Sequence, residues 1–150
     1  MNLRNHFYEY RPASNLLVKD EDAAEFLQSQ FSNELRPFDS GGCTYGLWLN
    51  AKGKVVGDSI VLCEEDFTFR VLSDCTKGDL IAAHLQRHII SDEVVIEHND
   101  QGYILELSVE GIKALGLKLP QAGHFNRFEG GTLVRSSDNR LRLVIGSNSN

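Results

Sequence analysis

The stretch Cys43–Ser73, CTYGLWLNAKGKVVGDSIVLCEEDFTFRVLS, decides the fold. It reads as three consecutive strands joined by two tight turns. The first turn, Asn50-Ala51-Lys52-Gly53, supplies glycine where a hairpin needs a positive φ. In the first strand the pleat sets Cys43, Tyr45, Leu47 and Leu49 against Thr44, Gly46, Trp48 and Asn50. The second strand, about Lys54–Cys63, sets Val56, Asp58, Ile60 and Leu62 against Val55, Gly57, Ser59 and Val61. Glu64-Glu65-Asp66 turns into a third strand, Phe67–Ser73, with Phe67, Phe69 and Val71 on one side. Asp58 therefore shares a face with apolar residues. Such a carboxylate either belongs to a site or pairs with an arginine, because a buried charge requires a partner.

Outward from this centre, Ser14–Val18 reads as a short strand. Lys19-Asp20-Glu21-Asp22 opens a helix, with Asp20 expected to accept from its free N–H groups. Ala23, Phe26, Leu27 and Phe31 recur at helical spacing and carry it to about Ser32-Asn33. Asp39-Ser40-Gly41-Gly42 is a breaker cluster. A second helix spans about Lys77–Ile90 with a stripe of Ile81, Leu85 and Ile89. Its His84 and His88, spaced i, i+4, share a face. No glutamate stands between them, so they read as packing or surface residues rather than a metal clasp. Strands follow at Glu93–His98 and Tyr103–Leu107, with Asn99-Asp100-Gln101-Gly102 between them. A short helix, about Glu110–Leu115, ends at Gly116. The last strands are about Gly123–Phe128, Thr132–Arg135 and Leu141–Ile145. Strands neighbour strands, which predicts an α+β fold: a mostly antiparallel mixed sheet with two or three packed helices. One domain over residues 1–146 and a disordered polar tail at 147–150 are expected.

Composition narrows function by exclusion. The 150 residues suffice for one core, and the net charge is −6. Residues 1–100 hold 9 Lys/Arg against 17 Asp/Glu, and residues 101–150 hold 6 against 4. An acidic body disfavours duplex nucleic acid, whose binding relies on phosphate neutralisation. Arg127, Arg135, Arg140 and Arg142 either form a solvated strand face or serve a small anionic ligand. Without an apolar span or a secretory leader, the expected location is the cytoplasm, with no membrane partner. Cys43, Cys63 and Cys75 form no CxxC pair. They predict neither a disulfide framework nor a metal site.

Two blocks carry a resemblance. LVKDEDAAEFLQSQFSNE, Leu17–Glu34, resembles an opening motif of strand, G-x-D-A-x-x-F-L-Q and T-N-D, with Ser32-Asn33-Glu34 in the last place. Gly42–Val61 is similar to a small loop, an aromatic strand ending in L-L-N, then G-K or G, and a D-D or x-D before an aliphatic pair. Here these are Leu49-Asn50, Gly53-Lys54, Gly57-Asp58 and Ile60-Val61. The family is the folate-binding superfamily of glycine-cleavage aminomethyltransferase (T-protein) and the YgfZ-like proteins of iron–sulfur cluster maintenance. The similarity fits the N-terminal part of a longer member. The chain departs at Gly57-Asp58, where one aspartate of the D-D pair of T-proteins remains, Asp58, and either member of the pair is open as its counterpart. It departs again at Val134–Asp138, where T-proteins carry G-Y-T-G-E.

The resemblance implies an aminomethyltransferase-type folate-binding domain and tetrahydrofolate as the ligand. A carboxylate can accept from the amide and amino edge of a pterin, a flat ring favours an aromatic neighbour, and an anionic tail favours arginine. Asp58, Trp48 or Tyr45, and Arg135 form the expected ligand-binding set, with Asp58 as the catalytic candidate. Trp48 has a core reading beside this one. The leading expectation is a YgfZ-like accessory protein binding tetrahydrofolate or a partner protein, in iron–sulfur or one-carbon metabolism. An active aminomethyltransferase and a degenerate assembly module are the alternatives. The resemblance also implies a homodimer, against which a monomer by light scattering at high concentration would count.

Overall fold

A computed structural model describes residues 7–65, 67–99 and 101–146. It contains two five-stranded sheets where the sequence suggested one. The first holds β2 (Ser14–Lys19), β3 (Cys43–Leu49), β4 (Val55–Glu65), β5 (Thr68–Ser73) and β6 (Val95–His98), in the order β3-β4-β5-β2-β6. The second holds β1 (Phe7–Tyr10), β7 (Tyr103–Leu107), β8 (His124–Phe128), β9 (Gly131–Arg135) and β10 (Leu141–Ile145), in the order β1-β7-β10-β9-β8. The ladders are antiparallel. Helices α1 (Ala23–Gln30), α2 (Gly78–His88) and α3 (Val109–Ala114) complete an α+β fold.

Alternation along the strands divides the interior into three packed groups. On the outer face of the first sheet, Trp48, Val61 and Val71 pack under α1 and α2 through Phe26, Leu27, Ile81 and Leu85. Between the sheets, Ile60, Leu62 and Leu72 meet Ile104, Phe125, Val134 and Val144. On the far side of the second sheet, Leu133, Leu141 and Leu143 pack on Ile112 of α3. Neighbours in β9 and β10 therefore point opposite ways: Val134 and Val144 look between the sheets, Leu133 and Leu143 look away.

The sequence expectations hold for most elements and fail at particular residues. Strand β1 is an addition; it borders β7, pairing Phe7 with Leu107 and Tyr10 with Ile104. Phe67 is not in β5: it takes a φ of 64° in the turn and lies exposed. Asp20 does not cap α1, since its carboxylate accepts from Glu21 N–H, while Asp22 reaches the Glu93 N–H at 2.7 Å. Val56 leaves the face expected of it, because the β3–β4 register shifts between Trp48 and Leu49 and turns Val56 towards the helices. The cap of α3 is Ser108, whose hydroxyl accepts from Gly111 N–H at 3.1 Å. Gly53 and Gly116 take the positive φ expected of them. Asp66, Asp100 and the tail at 147–150 lie outside the described residues.

Candidate functional site

A cavity of about 350 Å³ opens at one end of the space between the sheets. Its apolar wall is Ile60, Leu72, Ile104 and Val134, and its polar wall includes Tyr45, Asp58, Ser73, Asp74, Ser136, Arg140 and Arg142. That combination, an apolar lining with a few converging polar groups, is the usual make-up of a small-molecule site.

Asp58 is held on the wall by three hydroxyl groups. The pleat of β4 turns it to the side of Ile60 and Leu62, as the alternation predicts. Oδ2 accepts from the Tyr45 hydroxyl at 2.7 Å. Oδ1 accepts from Ser73 Oγ at 3.1 Å and Thr76 Oγ1 at 3.2 Å. The Asp58 N–H donates to the same Thr76 oxygen at 3.1 Å. Tyr45 stands two residues along β3 from Leu47, the register partner of Asp58. Its phenol pKa is pushed up to about 12, chiefly by the bond to Asp58, then by desolvation and the carboxylate's charge.

The neighbouring position explains the lone carboxylate. A Cβ on Gly57 would lie 2.4 Å from Thr76 Cγ2 and 2.8 Å from its Oγ1. Thr76 fills the space that a side chain at position 57 would need, and uses the same oxygen to fix Asp58.

Of the other acids of the wall, Asp74 is bound to arginine and Asp138 to Ser136. Asp74 Oδ1 accepts from the Tyr10 hydroxyl at 2.8 Å, and its Oδ2 meets Arg140 at 3.1 Å and Arg142 at 3.3 Å. Burial and the Asp74 charge raise the Tyr10 pKa strongly. Arg140 also grips Glu106, through Nε at 2.9 Å and Nη2 at 2.5 Å. Ser136 donates to Asp138, which with the neighbouring arginines holds that carboxyl below its usual range.

Of the four residues predicted to converge, the structure brings two to the cavity, Asp58 and Tyr45. Trp48 lies elsewhere, fully buried under the helices, with Nε1 donating to Ser59 Oγ at 2.7 Å and its ring against Phe31. Its core reading is the one that its position on the opposite face of β3 dictates. Arg135 also lies elsewhere: it follows Val134 on β9 and so projects away from the inter-sheet space, donating to the Pro120 carbonyl and Asn139. The arginines that line the cavity are Arg140 and Arg142. Arg142 had a readable signal, a single charge inside the apolar run Leu141–Ile145.

The histidine pair on α2 serves packing. His84 is buried near Trp48, and His88 Nδ1 donates to the His84 carbonyl at 2.8 Å. Among the described residues no group of three metal-ligating side chains gathers, and no helix is long and apolar enough to cross a membrane. Cys43, Cys63 and Cys75 form no disulfide with one another.

Comparison with known proteins agrees with this architecture. Residues 6–117 match the family described as GCVT N-terminal domain. An aminomethyltransferase of Chlorobaculum parvum is 30% identical over 112 residues, covering 73% of this chain and 31% of its own. That of Pelodictyon phaeoclathratiforme is 30% identical over 95 residues, covering 62% and 26%. The crystal structure of the glycine cleavage system aminomethyltransferase T from Bartonella henselae superposes with a TM-score of 0.78. It does so at 14% identity, over 95% of this chain and 42% of that one. This chain thus spans about a quarter to a third of the curated relatives it matches.

Proposed function

The chain belongs to the GCVT N-terminal domain family, and from that membership we propose that it is an accessory, YgfZ-like folate-binding module. Its ligand is a tetrahydrofolate, with the pterin ring in the cavity beside Asp58. The observation that carries this reading is the fixing of Asp58 by Tyr45, Ser73 and Thr76 on the wall of that cavity. A carboxylate has about four acceptor sites. Three hydroxyl donors leave about one, aimed by a scaffold that does not have to reorganise when a ring N–H arrives.

Tetrahydrofolate, when bound, supplies the ring nitrogens that carry a one-carbon unit. The residues of this chain bind and orient. Tyr45 and Thr76 keep the Asp58 carboxylate in place, and Ile60, Leu72, Ile104 and Val134 offer the ring an apolar surface. The binding role is favoured over full catalysis because a second acid beside Asp58 is sterically shut out at Gly57. Calorimetric titration with tetrahydrofolate tests the proposal. Binding by the wild type, weakened about tenfold to a hundredfold in Asp58→Ala through loss of a charged acceptor, is the expected result. A wild type that gives no binding heat sinks it.

The relatives favour a second reading, an aminomethyltransferase-like enzyme with Asp58 as its electrostatic or acid–base group. A one-carbon transfer assay separates the two. Turnover by the wild type that Asp58→Asn abolishes would support catalysis; equal rates in both would remove that role.

A further inference from the structure

Arg142 is the least satisfied charge on the cavity wall. Alternation along β10 turns it between the sheets with Val144, and its side chain is only 7% exposed. A guanidinium so placed needs partners. Those it has are thin. Nη1 donates to Ser136 Oγ at 3.3 Å, Nη2 to Asp74 Oδ2 at 3.3 Å, and Nε has no partner. Both contacts are long for N–H···O bonds. Arg142 also shares its carboxylate: the same Asp74 oxygen takes Arg140. Arg142 acts on the Tyr10 phenol as well, through hydrogen bonding and charge, yet its five N–H donors outnumber these acceptors and Nε has none.

Charge decides which acceptor fits. The wall carries Asp58, Asp74 and Asp138 against Arg140 and Arg142, and Glu106 binds Arg140 from just outside. A further anion would add to an acidic surplus, whereas an uncharged carbonyl oxygen would not. Asp58, with about one acceptor site left, can take a donor from the same ligand.

We propose that Arg142 is a specificity-determining residue of this cavity: it donates to an uncharged ring carbonyl while Asp58 accepts from a ring nitrogen. The cavity then takes the ring amide of a pterin and excludes the carboxylate tail. This rests on the folate reading above.

Competition titrations on the full chain test it with four compounds. These are tetrahydrofolate, a tetrahydropterin lacking the tail, p-aminobenzoylglutamate, and a diamino analogue in which an amino group replaces the ring carbonyl. The tetrahydropterin should bind within about tenfold of tetrahydrofolate, and p-aminobenzoylglutamate should not compete. The diamino analogue should bind about tenfold or more weakly, because its N–H faces the guanidinium. Arg142→Gln should narrow that discrimination. The wild-type comparisons stand alone if this variant fails to fold. Absence of tetrahydrofolate binding would overturn the folate reading and this inference with it. If tetrahydrofolate binds but p-aminobenzoylglutamate displaces it, or the diamino analogue binds equally or better, the role of Arg142 is wrong and the folate reading stands.

Discussion

Asp58 and Thr76 define the site at the scale of single residues. One threonine oxygen accepts from the Asp58 backbone and donates to its carboxylate, while the Thr76 methyl closes the space over Gly57. Gly57→Ala is therefore expected to destabilise by about 1–3 kcal/mol, as overpacking does. Thr76→Ser, which removes the methyl, should relieve part of that cost; denaturant melts of the single and double variants would show no coupling if the contact were irrelevant. Tyr45 gives a pH prediction. Its folded pKa lies above the ordinary tyrosine value of about 10, at about 12. Its bond to Asp58 is then fully present below pH 10 and lost as pH rises through about 12. Because Tyr45 is 48% exposed, the effect on stability is small and spectroscopy is the better measure. The ultraviolet titration difference between wild type and Tyr45→Phe should have a raised midpoint, and Asp58→Asn should bring it down. An unchanged midpoint would remove the bond.

At the scale of elements, β3 and α2 meet at Trp48 and His84. The imidazole is buried and its Nε2 has no hydrogen-bond partner. Burial first, then the His88 and Arg87 charges, lower its pKa. A base with a depressed folded pKa stabilises above its unfolded value and loses that contribution as pH falls through the folded one. Stability should thus drop on acidification below about pH 6.5, and His84→Gln should flatten the drop. Equal slopes in denaturant titrations at several pH values would contradict this. These elements also mark what the sequence could reveal. The period of two in β4 placed Asp58 with Ile60 and Leu62, and helical spacing found α1 and α2. Alternation could not orient β9 and β10, because both faces of those strands are buried. Arg135 therefore looked as eligible as Arg142. The split into two sheets was hidden for a related reason: hairpins specify neighbours along the chain, while the pairing of β1 with β7 joins residues about a hundred apart.

At the scale of the whole molecule, the apolar layer between the sheets is clamped at both ends by charge. At the cavity end, Asp74 of the first sheet's connection meets Arg140 and Arg142 of the second. At the other end, buried Glu64 on β4 binds Arg70 on β5 at 2.7 Å and reaches Arg127 on β8 at 3.3 Å. Glu64→Gln leaves Arg70 buried without its counter-charge and should cost about 3–5 kcal/mol. Because it lies at the far end, ligand affinity should be preserved in the folded fraction. A stability change under about 1 kcal/mol by denaturant melting would mean that the clamp contributes little.

A pterin ring held in the inter-sheet cavity beside Asp58, as proposed, would show itself in amide chemical shifts on titration with tetrahydrofolate. Saturable shifts are expected at Asp58, Ser73, Thr76, Ser136 and Arg142, with Glu64, Phe125 and Arg127 unmoved. Saturable shifts confined to the Glu64 end, or none at all, would contradict that placement.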